Sequence, residues 1–128
     1  AVVTAGAEWL ARDGATKEEI AAYISQSYDI NFTLDEIRPT YEYEIINKTT
    51  VPQAFQCFYE ATDFEDAIRN AISIGGDSDT VAAIAGSMAE AFFGIPEDIA
   101  ETGTSYLDDY MSDIVEEFYK THIETSHK

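Results

Sequence analysis

Three features of this 128-residue chain predict an all-α domain. Apolar residues recur every three to four positions along most of its length, the spacing of one helix face. Thr16, Thr33 and Thr62 are each followed three residues later by glutamate, the pattern of a capping box at a helix start. Only Tyr41-Glu42-Tyr43-Glu44-Ile45 alternates like a strand, and no second strand is available to pair with it.

Val3, Ala7 and Leu10 form a first apolar stripe that ends at Gly14. Thr16-Lys17-Glu18-Glu19 opens a second helix, with Ile20, Tyr23, Ile24 and Tyr28 on its inner face. Thr33-Leu34-Asp35-Glu36 caps one short turn before Pro39, and residues 41–45 read as an extended connection. Pro52 suits the first turn of the next helix, where its missing N–H costs nothing; Ala54, Phe55, Phe58 and Tyr59 would face inward. Thr62-Asp63-Phe64-Glu65 starts a stripe of Phe64, Ala67, Ile68, Ala71 and Ile72. The segment from Thr80 to Phe93 is rich in alanine and contains Gly86, so neighbours can approach it closely and it should be central. Gly94 ends it, Ile95-Pro96 begins a short helix that stops near Gly103, and Leu107, Tyr110, Met111, Ile114 and Phe118 mark the last one. No repeat, low-complexity run or linker interrupts the chain, so residues 1–128 read as a single domain.

Charge narrows the function. Twenty-five Asp and Glu against 7 Lys and Arg give a net charge of −18, which opposes phosphate contacts and anionic membranes. Neither nucleic acid nor a membrane is an expected partner. With 45% hydrophobic and 12% aromatic residues, the chain can nonetheless build a core. A lone cysteine, Cys57, forms no internal disulfide and points to a reducing, cytoplasmic setting. Residues 70–119 contain eleven acids and no Lys or Arg, a segment suited to recruiting a cation.

The chemistry concentrates at Gly75-Gly76-Asp77-Ser78-Asp79-Thr80, between two helices. Two carboxylates and a hydroxyl are hard oxygen donors that select Mg²⁺, Mn²⁺ or Ca²⁺ over softer metals. The glycines allow a sharp turn and leave room for a ligand against the main chain. Capping would explain one aspartate at a helix start, but not the whole cluster. An EF-hand starting at Asp77 is excluded by Val81, Ala82 and Met88 at its fifth, sixth and twelfth positions. A P-loop lacks its lysine. Asp77-Ser78-Asp79-Thr80-Val81 matches the Asp-x-Asp-x-Thr/Val pattern of haloacid dehalogenase phosphatases by letter, yet that pattern follows a buried strand and here a helix precedes it.

Together with Val51-Pro52-Gln53-Ala54-Phe55, Asp63-Phe64-Glu65-Asp66-Ala67-Ile68-Arg69-Asn70-Ala71, Ala82-Ala83-Ile84-Ala85-Gly86 and Gly94-Ile95-Pro96, the cluster strongly resembles the ADP-ribosylglycohydrolase family, which includes the dinitrogenase reductase-activating glycohydrolases. The resemblance runs over residues 7–99 and weakly beyond. It implies an orthogonally packed all-helical domain and a cleft where two Mg²⁺ or Mn²⁺ ions meet ADP-ribose. By resemblance, Asp77, Asp79 and Thr80 are metal ligands, and Gly75, Gly76 and Ser78 line the substrate. Gln53 and Asn47-Lys48-Thr49-Thr50 would border it. The resemblance implies hydrolysis of the glycosidic bond joining ADP-ribose to a protein side chain or small molecule.

One part of the family pattern is absent. Relatives carry an amino-terminal half with a Thr-Asp-Asp segment and a loop rich in His, Pro and Gly, whereas Asp108-Asp109 here follows Leu107. The chain therefore resembles a carboxyl-terminal half, its domain incomplete and its first residues Ala1-Val2-Val3 opening mid-pattern. It would supply half of the binuclear site and no catalytic residue of its own, and it is expected to need the missing half or to self-associate. A non-catalytic remnant or binding module is the alternative, and an Asp-based phosphatase a second one. Cys57 reads as a buried inert thiol, His122 and His127 as exposed tail residues, and Glu42 and Glu44 as solvated acids.

Overall fold

The computed structural model describes residues 1–40 and 47–123, and every described element is helical. The extended reading of residues 41–45 falls within 41–46, outside the described residues. The chain divides into two compact units, Ala1–Gly94 and Ile95–Lys128.

The first unit contains α1 (Val2–Arg12), α2 (Lys17–Ile24), α3 (Leu34–Ile37), a 3₁₀ turn (Arg38–Thr40), α4 (Asn47–Tyr59), α5 (Phe64–Ser73) and α6 (Ser78–Phe93). Two capping boxes form where the sequence placed them. Thr16 accepts from the Glu19 N–H while Glu19 accepts from the Thr16 N–H, and Thr33 and Glu36 repeat the exchange. The third is shifted by one residue: Asp63, not Thr62, is the N-cap of α5 and accepts from Asp66 N–H at 2.7 Å. Thr62 instead donates its own N–H to the Asp66 carboxylate at 3.0 Å. A carboxylate in the extended conformation of Asp63 (φ −155°, ψ −178°) outcompetes the neutral hydroxyl one position earlier.

Helix α4 departs further from expectation, because it begins at Asn47 and carries Pro52 in its interior. The proline removes one helical hydrogen bond, to the Lys48 carbonyl. The helix continues through it because the following face is fully committed to the core. Ala54, Phe55, Cys57 and Phe58 are completely buried.

Helix α6 is central, packing against α1, α4 and α5. Its small residues do what the composition suggested, with Gly86 lying so close to Ile68 Cδ1 that an added Cβ would sit 3.1 Å away. Gly6 permits a tighter approach still: a Cβ there would overlap the Tyr23 ring of α2. At the far end, Phe58 meets Phe92 and Phe93 with ring centroids 5.5 and 6.1 Å apart. The Lys17 ammonium lies over Phe58, Phe92 and Phe93 and donates to the Tyr59 carbonyl at 3.0 Å, closing the end of α4. Burial lowers the pKa of this lysine. Arg12 and Glu90 pair across α1 and α6. Ile72, expected on the inner stripe of α5, is instead 60% exposed.

The second unit contains α7 (Glu97–Thr104), α8 (Asp109–Phe118) and a π-helical turn (Tyr119–Ile123). Asp108 caps α8 by accepting from Met111 N–H at 2.8 Å. Tyr110, Met111, Ile114 and Phe118 keep helical spacing but are exposed.

Candidate metal centre

Helix α5 ends at Ser73, and Ile74 is the last buried residue before the chain turns. Gly75 and Gly76 follow with φ of +79° and +68°. Two successive left-handed residues explain why both are glycine, since an L side chain costs about 1–2 kcal/mol at each. The space around Gly75 is open: nothing lies within 4 Å of where a Cβ would stand.

Asp77 comes next with φ −78° and ψ +66°, and Ser78 N–H donates to the Gly76 carbonyl at 2.9 Å. This is an inverse γ-turn centred on Asp77. Its consequence is chemical. A capping aspartate needs an extended ψ to swing its carboxylate over the first helical amides, and Asp77 caps none of them. The Asp77 carboxyl group lies instead beside that of Asp79, close enough for the two to share a proton when one is protonated. Asp79 also accepts from Thr80 N–H at 3.0 Å. The contact with Asp77, and then the Thr80 amide, hold the Asp79 carboxyl below the usual carboxylate range. Asp77, Asp79 and Thr80 lie at the solvent-facing start of α6, and Gly75 is half-buried. The positive end of α6 favours negative charge at this position.

The predicted ligands Asp77, Asp79 and Thr80 thus lie together around one helix start, with Gly75, Gly76 and Ser78 forming the turn beside them. As a donor set they suit a hard divalent cation in kind. Such ions take roughly six or more oxygens, and among the described residues no third His, Cys, Asp or Glu joins the pair to complete a cage. Asp108 and Asp109 belong to the other unit, where Asp108 is committed to capping.

Beneath the turn lies an apolar floor. Ile74 and Val81, which bracket residues 75–80, share one buried cluster with Ala54 and Cys57 of α4 and Ala71 of α5. Asn70 Nδ2 donates to the Cys57 carbonyl at 3.1 Å, tying α5 to α4. Burial pushes the Cys57 thiol up to about 12, so it is a packing residue and not a nucleophile. His122 is exposed beside Phe118, and His127 lies outside the described residues. A strand before the turn, which the phosphatase pattern requires, is replaced by α5.

Two features were not legible beforehand. The γ-turn at Asp77 depends on dihedrals that no residue type dictates. The burial of Gln53 depends on which face of α4 turns inward.

A curated relative, an uncharacterized protein of Archaeoglobus fulgidus, is 44% identical over 48 residues, which is 37% of this chain and 16% of that protein. The chain thus aligns with well under two thirds of that relative's length. No solved structure matches. The family model for ADP-ribosylglycohydrolase matches residues 1–125, nearly the whole chain, and extends on both sides beyond the 7–99 carried by motifs. On that match, and with every regular element among the described residues helical, the chain belongs to the ADP-ribosylglycohydrolase family.

Proposed function

We propose that this chain forms part of a metal-dependent glycohydrolase that cleaves the glycosidic bond between ADP-ribose and a protein side chain or small molecule, and that it supplies one half of a two-ion site. Family membership supports the glycohydrolase chemistry. The observation that carries the metal reading is the Asp77–Asp79 pair, in which a helix-start carboxylate forgoes capping and meets a second carboxylate in solvent.

In this reading Asp77 and Asp79 hold a Mg²⁺ or Mn²⁺ ion through their carboxylates, with the Thr80 hydroxyl as a neutral third donor. The ion, when bound, polarises a ribose hydroxyl or water near the anomeric carbon. Asp79 is suited to its part because it stays ionised at lower pH than an ordinary aspartate. Gly75 contributes open space above the turn, where a sugar can reach the main chain. Water adds to the anomeric carbon as the glycosidic bond breaks, and the leaving side chain takes the proton. The remaining ligands and the base that activates water come from polypeptide outside the described residues.

A binding module without turnover is the second reading, favoured by the fact that only two carboxylates converge among the described residues. Mn²⁺ titration followed by electron paramagnetic resonance tests the site itself. Saturable binding by the wild type, lost in Asp77→Ala/Asp79→Ala, is expected. Equal binding by both proteins would sink the metal reading. Hydrolysis of an ADP-ribosylated substrate after addition of an amino-terminal family half would then exclude the module.

A further inference from the structure

An acidic turn and an anionic substrate repel one another. In ADP-ribose the diphosphate is joined through a single exocyclic carbon to the ribose whose anomeric carbon reacts, so its charge arrives close to Asp77 and Asp79. Residues 70–119 hold no Lys or Arg to receive it. A bound divalent ion first offsets the two aspartates, and the diphosphate is left to a cation supplied from elsewhere in the fold.

Arg38 reaches the end of α5 from such a place. It begins the 3₁₀ turn after α3, and its Nε donates to Ser73 Oγ at 3.1 Å. Ser73 is the last residue of α5, and the four-residue step from it to Asp77 spans at most about 14 Å. The Ser73 hydroxyl donates in turn to the Asn70 carbonyl at 2.8 Å, so Arg38 is held to a fixed point on the helix. Packing fixes the segment as well. Leu34 is buried in the same cluster as Ile74 and Val81, which bracket the turn, and Ile37, the neighbour of Arg38, packs against that cluster. Residues 34–38 therefore lie against the floor of the candidate site, although the acidic motif does not include them.

The guanidinium is also the one with an open edge. Arg12 pairs with Glu90, Lys17 donates to the Tyr59 and Ala61 carbonyls, and Arg69 turns back to Glu65 through Nε and Nη2. Arg38 uses Nε on Ser73 and Nη1 on Asp35, and among the described residues nothing accepts from its Nη2. Its side chain is 34% exposed, so it is held in place yet open to solvent. A planar guanidinium matches phosphate oxygens in geometry as well as charge, and it is more weakly hydrated than an ammonium. We infer that Arg38 is a substrate-binding residue, whose guanidinium holds the diphosphate of an ADP-ribosyl group seated over residues 75–80. The inference rests on the proposed function and adds to it the residue that recognises the anionic part of the substrate. Asp35, almost fully exposed, holds the same guanidinium and competes with the diphosphate for it.

The test measures ADP-ribose binding by titration calorimetry in the presence of Mn²⁺ for the wild type, Arg38→Gln and Asp35→Asn. Arg38→Gln loses a hydrogen-bonding positive charge and is expected to bind ADP-ribose roughly tenfold more weakly or worse. Asp35→Asn keeps an acceptor for Nη1 and removes the competing charge, so it is expected to bind about threefold more tightly, the worth of an exposed ion pair. A purely structural Arg38 cannot give this gain, because weakening its ion pair would leave affinity unchanged or lower it. Equal affinity in wild type and Arg38→Gln overturns the inference. So does an Asp35→Asn protein that binds no tighter than wild type, and this arm decides the matter if Arg38→Gln fails to fold. Mn²⁺ binding, read by electron paramagnetic resonance, separates the inference from the reading beneath it. A wild-type chain that binds Mn²⁺ but not ADP-ribose overturns the inference and leaves the proposed function standing. One that binds neither overturns the metal reading, and the inference with it.

Discussion

Helices α5 and α6 stand side by side and both open at an aspartate, yet the two aspartates do opposite things. Asp63 is extended and gives its carboxylate to the Asp66 amide of its own helix. Asp77 has ψ near +66°, set by the inverse γ-turn, and caps no amide, leaving its carboxylate beside that of Asp79. The same residue type at the same helix position is structural in one place and available in the other. What separates them lies upstream. Ala61 and Thr62 lead into Asp63 as ordinary backbone, whereas Gly75 and Gly76 bring Asp77 in through two left-handed residues. Asp108, opening α8, behaves like Asp63, as expected if capping is the default when nothing intervenes. A helix-start aspartate that does not cap is therefore the more informative observation.

The floor beneath the turn supplies the largest expected effect. Cys57 has its thiol pushed from 9.0 to about 12 by burial, with Glu60 nearby adding to the rise. The sign follows directly: the unfolded chain loses this proton first, so the group stabilises the fold up to about pH 9 and that contribution fades as pH climbs to about 12. A rise of this size corresponds to about 4 kcal/mol at the alkaline end. Urea denaturation of wild type and Cys57→Ala between about pH 8 and 11 measures it, and parallel stability curves would show that the thiol is not buried. Below about pH 9 the floor is silent, so any pH dependence of metal binding there belongs to the carboxylates.

Next in size is the turn. Gly75→Ala and Gly76→Ala each force a side chain into positive φ, and together should lower stability by about 2–4 kcal/mol. At Gly75 no collision contributes, because the space is open. Equal stability of the double variant, measured by urea denaturation, would mean that the turn is not left-handed.

How far this contrast could be read in advance depends on the range of the forces involved. Capping at Thr16 and Thr33 was legible because the partners are three residues apart and the chemistry is local. The shift from Thr62 to Asp63 was not, since two acceptors compete and the stronger one wins. Pro52 was placed at a helix start on local grounds, but burial of Ala54, Phe55 and Phe58 carries the helix back to Asn47. Ile72 fits the periodicity of α5 and is nevertheless exposed, because periodicity alone does not say where a buried stripe ends. The motif at residues 75–80 was legible as a cluster of oxygen donors. Whether Asp77 caps or coordinates turns on one ψ angle, and the burial of Gln53 turns on tertiary packing.

A smaller effect separates the two aspartates directly. Asp63→Ala removes the cap of α5 and should cost about 1 kcal/mol. The Thr62–Asp66 contacts remain in place to limit the loss. Chemical denaturation at neutral pH measures this, and a change below a few tenths would remove the structural half of the contrast.

Asp77→Ala should have the least effect on stability of all, within about 0.5 kcal/mol, because no amide loses its acceptor when this carboxylate goes. Removing one of two adjacent acids at an exposed position relieves repulsion between them but gives up a favourable charge at the positive end of α6, so the two effects oppose and the net change in metal-free buffer stays small. With Mn²⁺ present the order reverses. A ligand that binds only the folded state raises stability by mass action, so the wild type gains on addition of the ion while Asp77→Ala does not. Asp63→Ala, although less stable throughout, should gain as much as the wild type. Melting curves of the three proteins with and without Mn²⁺ read this crossing. If Asp77→Ala destabilises the metal-free chain as much as Asp63→Ala does, the γ-turn reading fails and Asp77 is a cap after all.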